Sequence, residues 1–155
     1  MQPASSVRFF KIFLSILGLD QLVKILVKVS FSLYESVPII KPFLYLTYVK
    51  NEGIAFGLFQ GVTSISIISA IIVVVGVFVY IMGWRPPAIV AYSLALVAGG
   101  AAGNLIDRLI FGGVVDYIDF RFWPVFNLAD IAIVVGSLLL MGFLIWESRE
   151  EGKRN

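Results

Sequence analysis

Asp116 and Asp130 are the residues of this chain best suited to chemistry. Each stands at the edge of an apolar stretch, in GGVVDY and FNLADIAIVVG, and a short aromatic loop separates them. A carboxylate at the rim of a membrane segment is costly unless it is paired, solvated or used. Two carboxylates held close together cannot both ionise easily, so one keeps its proton. The ionised member can then take a proton from water while the protonated member polarises a peptide carbonyl. Spacing alone leaves two other readings open. Asp130 could cap a following helix, with Asn127 an equally good cap, and the carboxylates could belong to a proton path. The cap reading leaves Asp116 unexplained.

Composition removes most alternatives. The chain has no His and no Cys. That excludes Ser-His triads, thiol nucleophiles, disulfides and the usual zinc sites. A carboxylate-only metal site stays compatible, a transition-metal site is not expected, and neither metal nor cofactor is assigned. Hydrophobic residues make up 59% and charged residues 14%, against roughly 25% charged in soluble domains. The 155 residues therefore read as one integral membrane domain. A net charge of +2 without a basic stripe gives no basis for nucleic-acid binding.

Four apolar stretches are long enough to span a bilayer: about 9–29, 63–82, 88–105 and 128–146. The first has no small-residue cleavage site after it and is expected to stay. The GWRPP turn at Gly83–Pro87 makes the second and third an antiparallel hairpin. The expected fold is thus an all-α membrane protein. Phe43–Val49 is β-branched and aromatic, so it reads as a strand on the membrane surface. The segments at about 30–62 and 108–127 are the two long connections. An even number of spans puts both termini on one side. The Lys and Arg balance leans towards cytoplasmic termini, so both long connections face outward.

The other motifs have blander readings beside them. Asp20 and Lys24 lie four apart on one helix face, which suits an internal ion pair. A headgroup anchor at Lys24 or a Ser-Lys dyad is the alternative. Asn51-Glu52-Gly53 follows the strand as a turn, and the Asn51 amide could hold a carbonyl or orient a carboxylate. Gly99 and Gly103 form a GxxxG pair, read as helix packing without chemistry. Asn104 and Arg108 share a face, and an Arg at headgroup level suits a lipid phosphate or a structural carboxylate. Asp107 beside it is free to pair elsewhere. Asp119 is a third carboxylate near the first two, read as peripheral.

Taken in order, five blocks resemble the bacterial lipoprotein signal peptidase (signal peptidase II) family. They are Asp20-Gln21-xx-Lys24, Asn51-x-Gly53-x-Ala55-Phe56, Gly99-Gly100-Ala101-Ala102-Gly103-Asn104-xx-Asp107-Arg108, Val114-Val115-Asp116-Tyr117 and Phe126-Asn127-Leu128-Ala129-Asp130. The resemblance covers nearly the whole chain, and it implies a small extracytoplasmic β-sheet between helices 1 and 2, in agreement with the strand at Phe43–Val49. It implies an aspartyl endopeptidase that removes the signal peptide from a diacylglyceryl-modified prolipoprotein by cutting before the lipidated Cys. It implies Asp116 and Asp130 as the catalytic pair, and Asn51, Asn104, Arg108 and Asn127 as residues that bind substrate or orient the pair. Asp20, Lys24 and Asp107 would support the site, and a mobile lid would lie between Asp116 and Asp130. The implied setting is a monomer in the phospholipid bilayer of the bacterial inner membrane, with its site at the outer face. The rival readings are a small proton-coupled transporter and a non-enzymatic assembly factor that docks partners through the strand-bearing loop.

Overall fold

A computed structural model describes residues 3–53 and 62–153, with side chains over 6–53 and 64–153. Ala55 and Phe56 of the second block, and Arg154 of the basic terminus, lie outside the described residues. The element order is α1 (Pro3–Ser30), β1 (Ser36–Ile40), β2 (Leu44–Asn51), α2 (Val62–Gly83), α3 (Ala88–Phe111), β3 (Val114–Asp119) and α4 (Leu128–Gly152). The chain is mostly helical, with a three-stranded antiparallel sheet in the order β1-β2-β3. Among the described residues, three helical stretches are long and apolar enough to cross a bilayer: Ser64–Gly83, Ala88–Phe111 and Leu128–Gly152. Helix α1 is as long, but it carries Asp20, Lys24 and Lys28.

Helix α3 is the centre of the bundle, and α1, α2 and α4 all pack on it. Its Ala- and Gly-rich face allows this. Ala91, Ala95, Ala98 and Ala102 are buried against Phe9 and Phe13 of α1 and Val77 and Ile81 of α2. Phe78 of α2 meets Phe13 edge-on at 5.1 Å between ring centres. The expected packing role of Gly99 and Gly103 holds on the α1 side. A Cβ at Gly99 would come within 3.1 Å of Ile16 and the Phe13 carbonyl, and one at Gly103 would collide with the Asp20 carboxylate. Gly100 faces the other way, onto the Ala129 carbonyl and Ile133 of α4.

Two elements depart from expectation. Helix α3 continues past Leu105 to Phe111 and ends on Gly112 in the left-handed conformation (φ 70°). The polar run Asn104-xx-Asp107-Arg108 does not break the helix, because the Asn104 and Asp107 side chains find partners across the bundle. Asp116 lies in a strand rather than a loop. β3 pairs with β2, with Val49 opposite Asp116 and Asn51 opposite Val114. Val115 and Tyr117 of β3 bury themselves against Val27 of α1. The stretch after β3 returns through an Ile118–Phe126 bridge, leaving Phe122 and Trp123 exposed at its tip.

Gly100→Ala and Gly103→Ala should each destabilise the protein by about 1–3 kcal/mol through overpacking. Gly142→Ala, where an added Cβ meets nothing within 4 Å, should change little. Thermal unfolding in detergent checks this: equal melting temperatures for all three would show that α3 is not packed this closely.

Candidate active site

The site is built upward from a buried charge. Lys24 is 1% exposed and lies 2.8 Å from Asp20 and 3.1 Å from Asp107. The Asp20–Lys24 pair expected from their spacing is therefore present, with Asp107 as a third member. Both carboxylates have further donors. Asp20 accepts the Ala129 backbone N–H (3.0 Å), and Asp107 accepts that of Val115 (3.0 Å). The Gln21 amide bridges Asp20, Asp107 and the Gly103 carbonyl at 3.1–3.3 Å. Buried charges persist only when paired and hydrogen-bonded in this way. The cluster ties α1 to α3, to β3 and to the start of α4.

The third donor of Lys24 goes to Asn104 Oδ1 at 2.9 Å. This fixes the Asn104 amide, so its Nδ2 donates to Asp130 Oδ1 at 2.8 Å. Asn127 is fixed too. Its Oδ1 accepts the Asp130 backbone N–H (3.0 Å), and its Nδ2 donates to Asp116 Oδ1 (2.6 Å) and reaches Asn104 Oδ1 (3.2 Å). Asn51 accepts the Gly53 N–H (3.0 Å) and donates to Asp116 Oδ2 at 2.9 Å. It reaches Asp116 diagonally across the β2–β3 ladder, which puts both on one sheet face. All three amide orientations follow from fixed donors and acceptors.

One network thus joins Asp116 on β3 and Asp130 on α4. The two differ in surroundings. Asp116 is 2% exposed. Burial, reinforced by the charge of Asp130, pushes its carboxyl up to about 6, against the lowering effect of the Asn51 and Asn127 hydrogen bonds. Asp130 is half-buried and lines a cleft of about 320 Å³ with Ser66, Ser69, Asn104 and Arg108. The cap reading of Asp130 is correct as far as it goes. Asn127 and Asp130 form a reciprocal capping box at the start of α4, using Asp130 Oδ2. That leaves Asp130 Oδ1 to the site. Asp116 caps nothing.

Arg108 lies on the same cleft, a helical turn beyond Asn104. Its Nη1 reaches the Asn104 carbonyl at 3.5 Å, and its buried Nε has no hydrogen-bond partner among the described residues. Asp119 sits apart, accepting from Thr47 (2.7 Å) and the Arg121 backbone N–H (2.7 Å). Burial raises its carboxyl, but these bonds and the Arg121 charge hold it below the usual range. Three participants were assigned no role from the sequence. Tyr117 accepts the Leu128 N–H at 3.2 Å and steadies the start of α4. Ser66 and Ser69 line the cleft, and two hydroxyls at helical spacing in an otherwise apolar helix were a readable signal.

A family model described as Signal peptidase (SPase) II matches residues 12–146. The chain belongs to the signal peptidase II family. A lipoprotein signal peptidase of Halothermothrix orenii is 46% identical over 139 residues, covering 90% of this chain and 95% of that protein. One from Desulfitobacterium hafniense is 49% identical over 138 residues, covering 88% and 91%. Two solved bacterial membrane enzymes superpose with TM-scores of 0.82 and 0.81 at 27% and 28% identity. The alignments cover 91% of this chain and 89% of the first structure, and 88% and 92% for the second. This chain is accordingly an aspartic peptidase of the signal peptidase II kind, acting in lipoprotein processing.

Two measurements follow from the geometry. Lys24→Met should destabilise this signal peptidase II by about 3–5 kcal/mol, because it strands two buried carboxylates. A melting temperature equal to wild type would refute the buried charge cluster. The raised Asp116 carboxyl also has a sign. It binds a proton in the fold at pH values where the unfolded chain, with a carboxyl near about 4, does not. Its contribution to stability is therefore full below about pH 4 and lost as pH rises through about 6. Melting temperature followed from pH 4 to 7 should fall more steeply for wild type than for Asp116→Asn. Parallel curves would contradict it.

Proposed function

We propose that Asp116 and Asp130 are the catalytic dyad with which this signal peptidase II removes signal peptides from diacylglyceryl-modified prolipoproteins, cutting just before the lipidated Cys. The observation that carries this is the single amide network holding a dry carboxylate from β3 and a cleft-facing one from α4. One proton shared by the pair supports general acid–base hydrolysis. The ionised member takes a proton from water as the water oxygen attacks the scissile carbonyl carbon. The protonated member gives its proton to the carbonyl oxygen. Collapse of the tetrahedral intermediate breaks the C–N bond, and a dyad proton passes to the departing Cys amine. The products are a signal peptide with a new carboxylate and a lipoprotein with a free amino terminus. Asp116, pushed up to about 6 by burial, suits the proton-holding role. The titration itself belongs to the pair.

Asn51, Asn104 and Asn127 orient the dyad through their fixed amides. Arg108, whose Nε has no partner among the described residues, binds the substrate's peptide carbonyl or headgroup-level ester. Asp20, Lys24 and Asp107 hold the scaffold beneath. We further propose one domain over residues 1–155 with four spans. Helix α1 becomes a span because Asp20 and Lys24 are 0% and 1% exposed, so neither charge meets lipid. The proposed setting is a monomer in the bacterial inner membrane, with cytoplasmic termini and the site at the outer face. A lipid-anchored Cys presents its scissile bond at that surface. The transporter reading is disfavoured because Asp116 and Asp130 gather at one end of the bundle, while α2 and the α4 stretch Ile131–Trp146 carry no charged residue.

Purified protein in detergent should cleave a diacylglyceryl-modified prolipoprotein in the presence of EDTA. Asp116→Asn and Asp130→Asn should each lower kcat by at least about 100-fold while keeping a cooperative unfolding transition. Loss of cleavage in EDTA, or activity retained in either folded variant, would remove the dyad mechanism.

A further inference from the structure

The sheet carries a second polar network that the proposed hydrolysis does not use. Thr47 Oγ1 donates to Asp119 Oδ2 at 2.7 Å, which spends its only proton. Its 2.8 Å contact with Ser36 Oγ therefore has Ser36 as the donor. Arg121 Nη2 in turn donates to Ser36 Oγ at 2.6 Å, and Arg121 Nη1 lies 3.4 Å from Asp119 Oδ2. The bonds form a ring that runs in one direction: Arg121 to Ser36, Ser36 to Thr47, Thr47 to Asp119. Its members come from β1, β2, β3 and the turn after β3. That turn is tied to the ring through Arg121, whose backbone is left-handed (φ 67°), a conformation rare outside glycine. The Arg121 N–H donates to Asp119 Oδ1 at 2.7 Å, and its guanidinium lies over the Tyr45 ring at 3.7 Å.

The ring spans an irregularity in the β2–β3 ladder. Asp119 faces Tyr45 and Ile118 faces Leu46, but Asp116 faces Val49. Two residues of β2, Thr47 and Tyr48, therefore stand against Tyr117 alone, which is a β-bulge. The backbone N–H groups at the bulge turn away from each other, that of Tyr48 to the Glu35 carbonyl and that of Tyr117 to the Phe126 carbonyl. The bulge divides the sheet into two halves. The inner half holds Asn51 and Asp116 of the candidate site. The outer half runs into the turn and returns through Phe126 to Asn127, which donates to Asp116 at 2.6 Å. How Asp116 meets Asn127 thus depends on how the two halves are set at the bulge. Thr47 lies in the bulge, and its hydroxyl crosses to Asp119 in the outer half.

We propose that this ring is a clamp across the bulge, and that Thr47, Asp119 and Arg121 are positioning residues that hold Asp116 against Asn127. This rests on the proposed dyad and extends it, because Asp119 then acts on the site through the strand it shares with Asp116. None of the three needs to touch the substrate.

The test follows cleavage of a diacylglyceryl-modified prolipoprotein by full-length protein in phospholipid nanodiscs as a function of pH. Thr47→Val keeps the β-branched shape, removes the hydroxyl and alters no charge. It should lower kcat by about tenfold with KM unchanged, since a small misplacement of reacting groups costs rate. The alkaline limb of its kcat profile should move to higher pH. The Asn127 hydrogen bond holds the Asp116 carboxyl down, so loosening it lets that carboxyl rise, while the nearby charges of Asp130 and Lys24 are untouched. Thr47→Ser, which keeps the hydroxyl, should match wild type in rate and profile. Arg121→Met opens the ring at a half-exposed member. It should give the same two changes, and it carries the test if Thr47→Val does not fold. An alkaline limb unmoved in the folded ring variants, whatever their melting temperatures, reduces the ring to a brace and overturns the proposal. Thr47→Ser impaired as much as Thr47→Val overturns it too. Both results leave the dyad standing. Absence of cleavage by wild type, or activity retained in folded Asp116→Asn, would instead overturn the dyad reading and the clamp with it.

Discussion

The structure depends on one constraint: the ammonium of Lys24 must be neutralised inside a helical bundle. It is 1% exposed, and its partners Asp20 and Asp107 are both fully buried. Such a group is stable only when every member is hydrogen-bonded, because an unpaired buried charge costs several kcal/mol. Satisfying it recruits Gln21, the Ala129 and Val115 backbone N–H groups, and the Asn104 carbonyl oxygen. Those partners come from α1, α3, β3 and α4. Pairing the charge therefore sets where these elements meet, and the proposed dyad sits directly above that junction.

The same atoms serve folding and the site. Asn127 and Asp130 close the first turn of α4 as a capping box, which satisfies backbone donors that a helix start leaves open. Because each side chain has a second polar atom, Asn127 also reaches Asp116, and Asp130 also accepts from Asn104. A cap at a helix start beside the sheet becomes part of the proposed catalytic arrangement without extra residues. The small residues of α3 make this possible. Side chains at Gly100 or Gly103 would push α4 or Asp20 away and open the network.

The contrast between Asp116 and Asp130 follows from the elements that carry them. A sheet strand packed on α1 buries Asp116, and burial disfavours its charge. The first turn of α4 leaves Asp130 half-buried on the cleft wall. The proposed hydrolysis uses this combination: a dry carboxyl to hold the proton and a cleft-facing carboxylate to take one from water. Large apolar side chains such as Ile65, Ile72 and Leu138 remain outward-facing, as helices surrounded by lipid require.

Much of this was legible in the chain. Apolar runs of span length mark the helices, because a bilayer core sets how many residues cross it. A chain without His or Cys leaves carboxylates as the natural acid–base groups, and two Asp at segment edges stand out against so apolar a background. The i, i+4 spacing of Asp20 and Lys24 foretold their pairing, since neighbours on one helix face need no tertiary information to meet. Long-range facts were not legible. That Asp107 joins the pair, that Asp116 lies in a strand opposite Val49, and that Asn104 turns its amide towards Asp130 all depend on contacts between distant segments. The reach of α3 to Phe111 was likewise hidden, because polar residues within a helix look like its end until their partners across the bundle are known. Sequence by itself determined which groups could do the chemistry. Only the tertiary structure decided which of them share a network and which is dry, because burial and hydrogen-bond geometry arise between elements rather than within them.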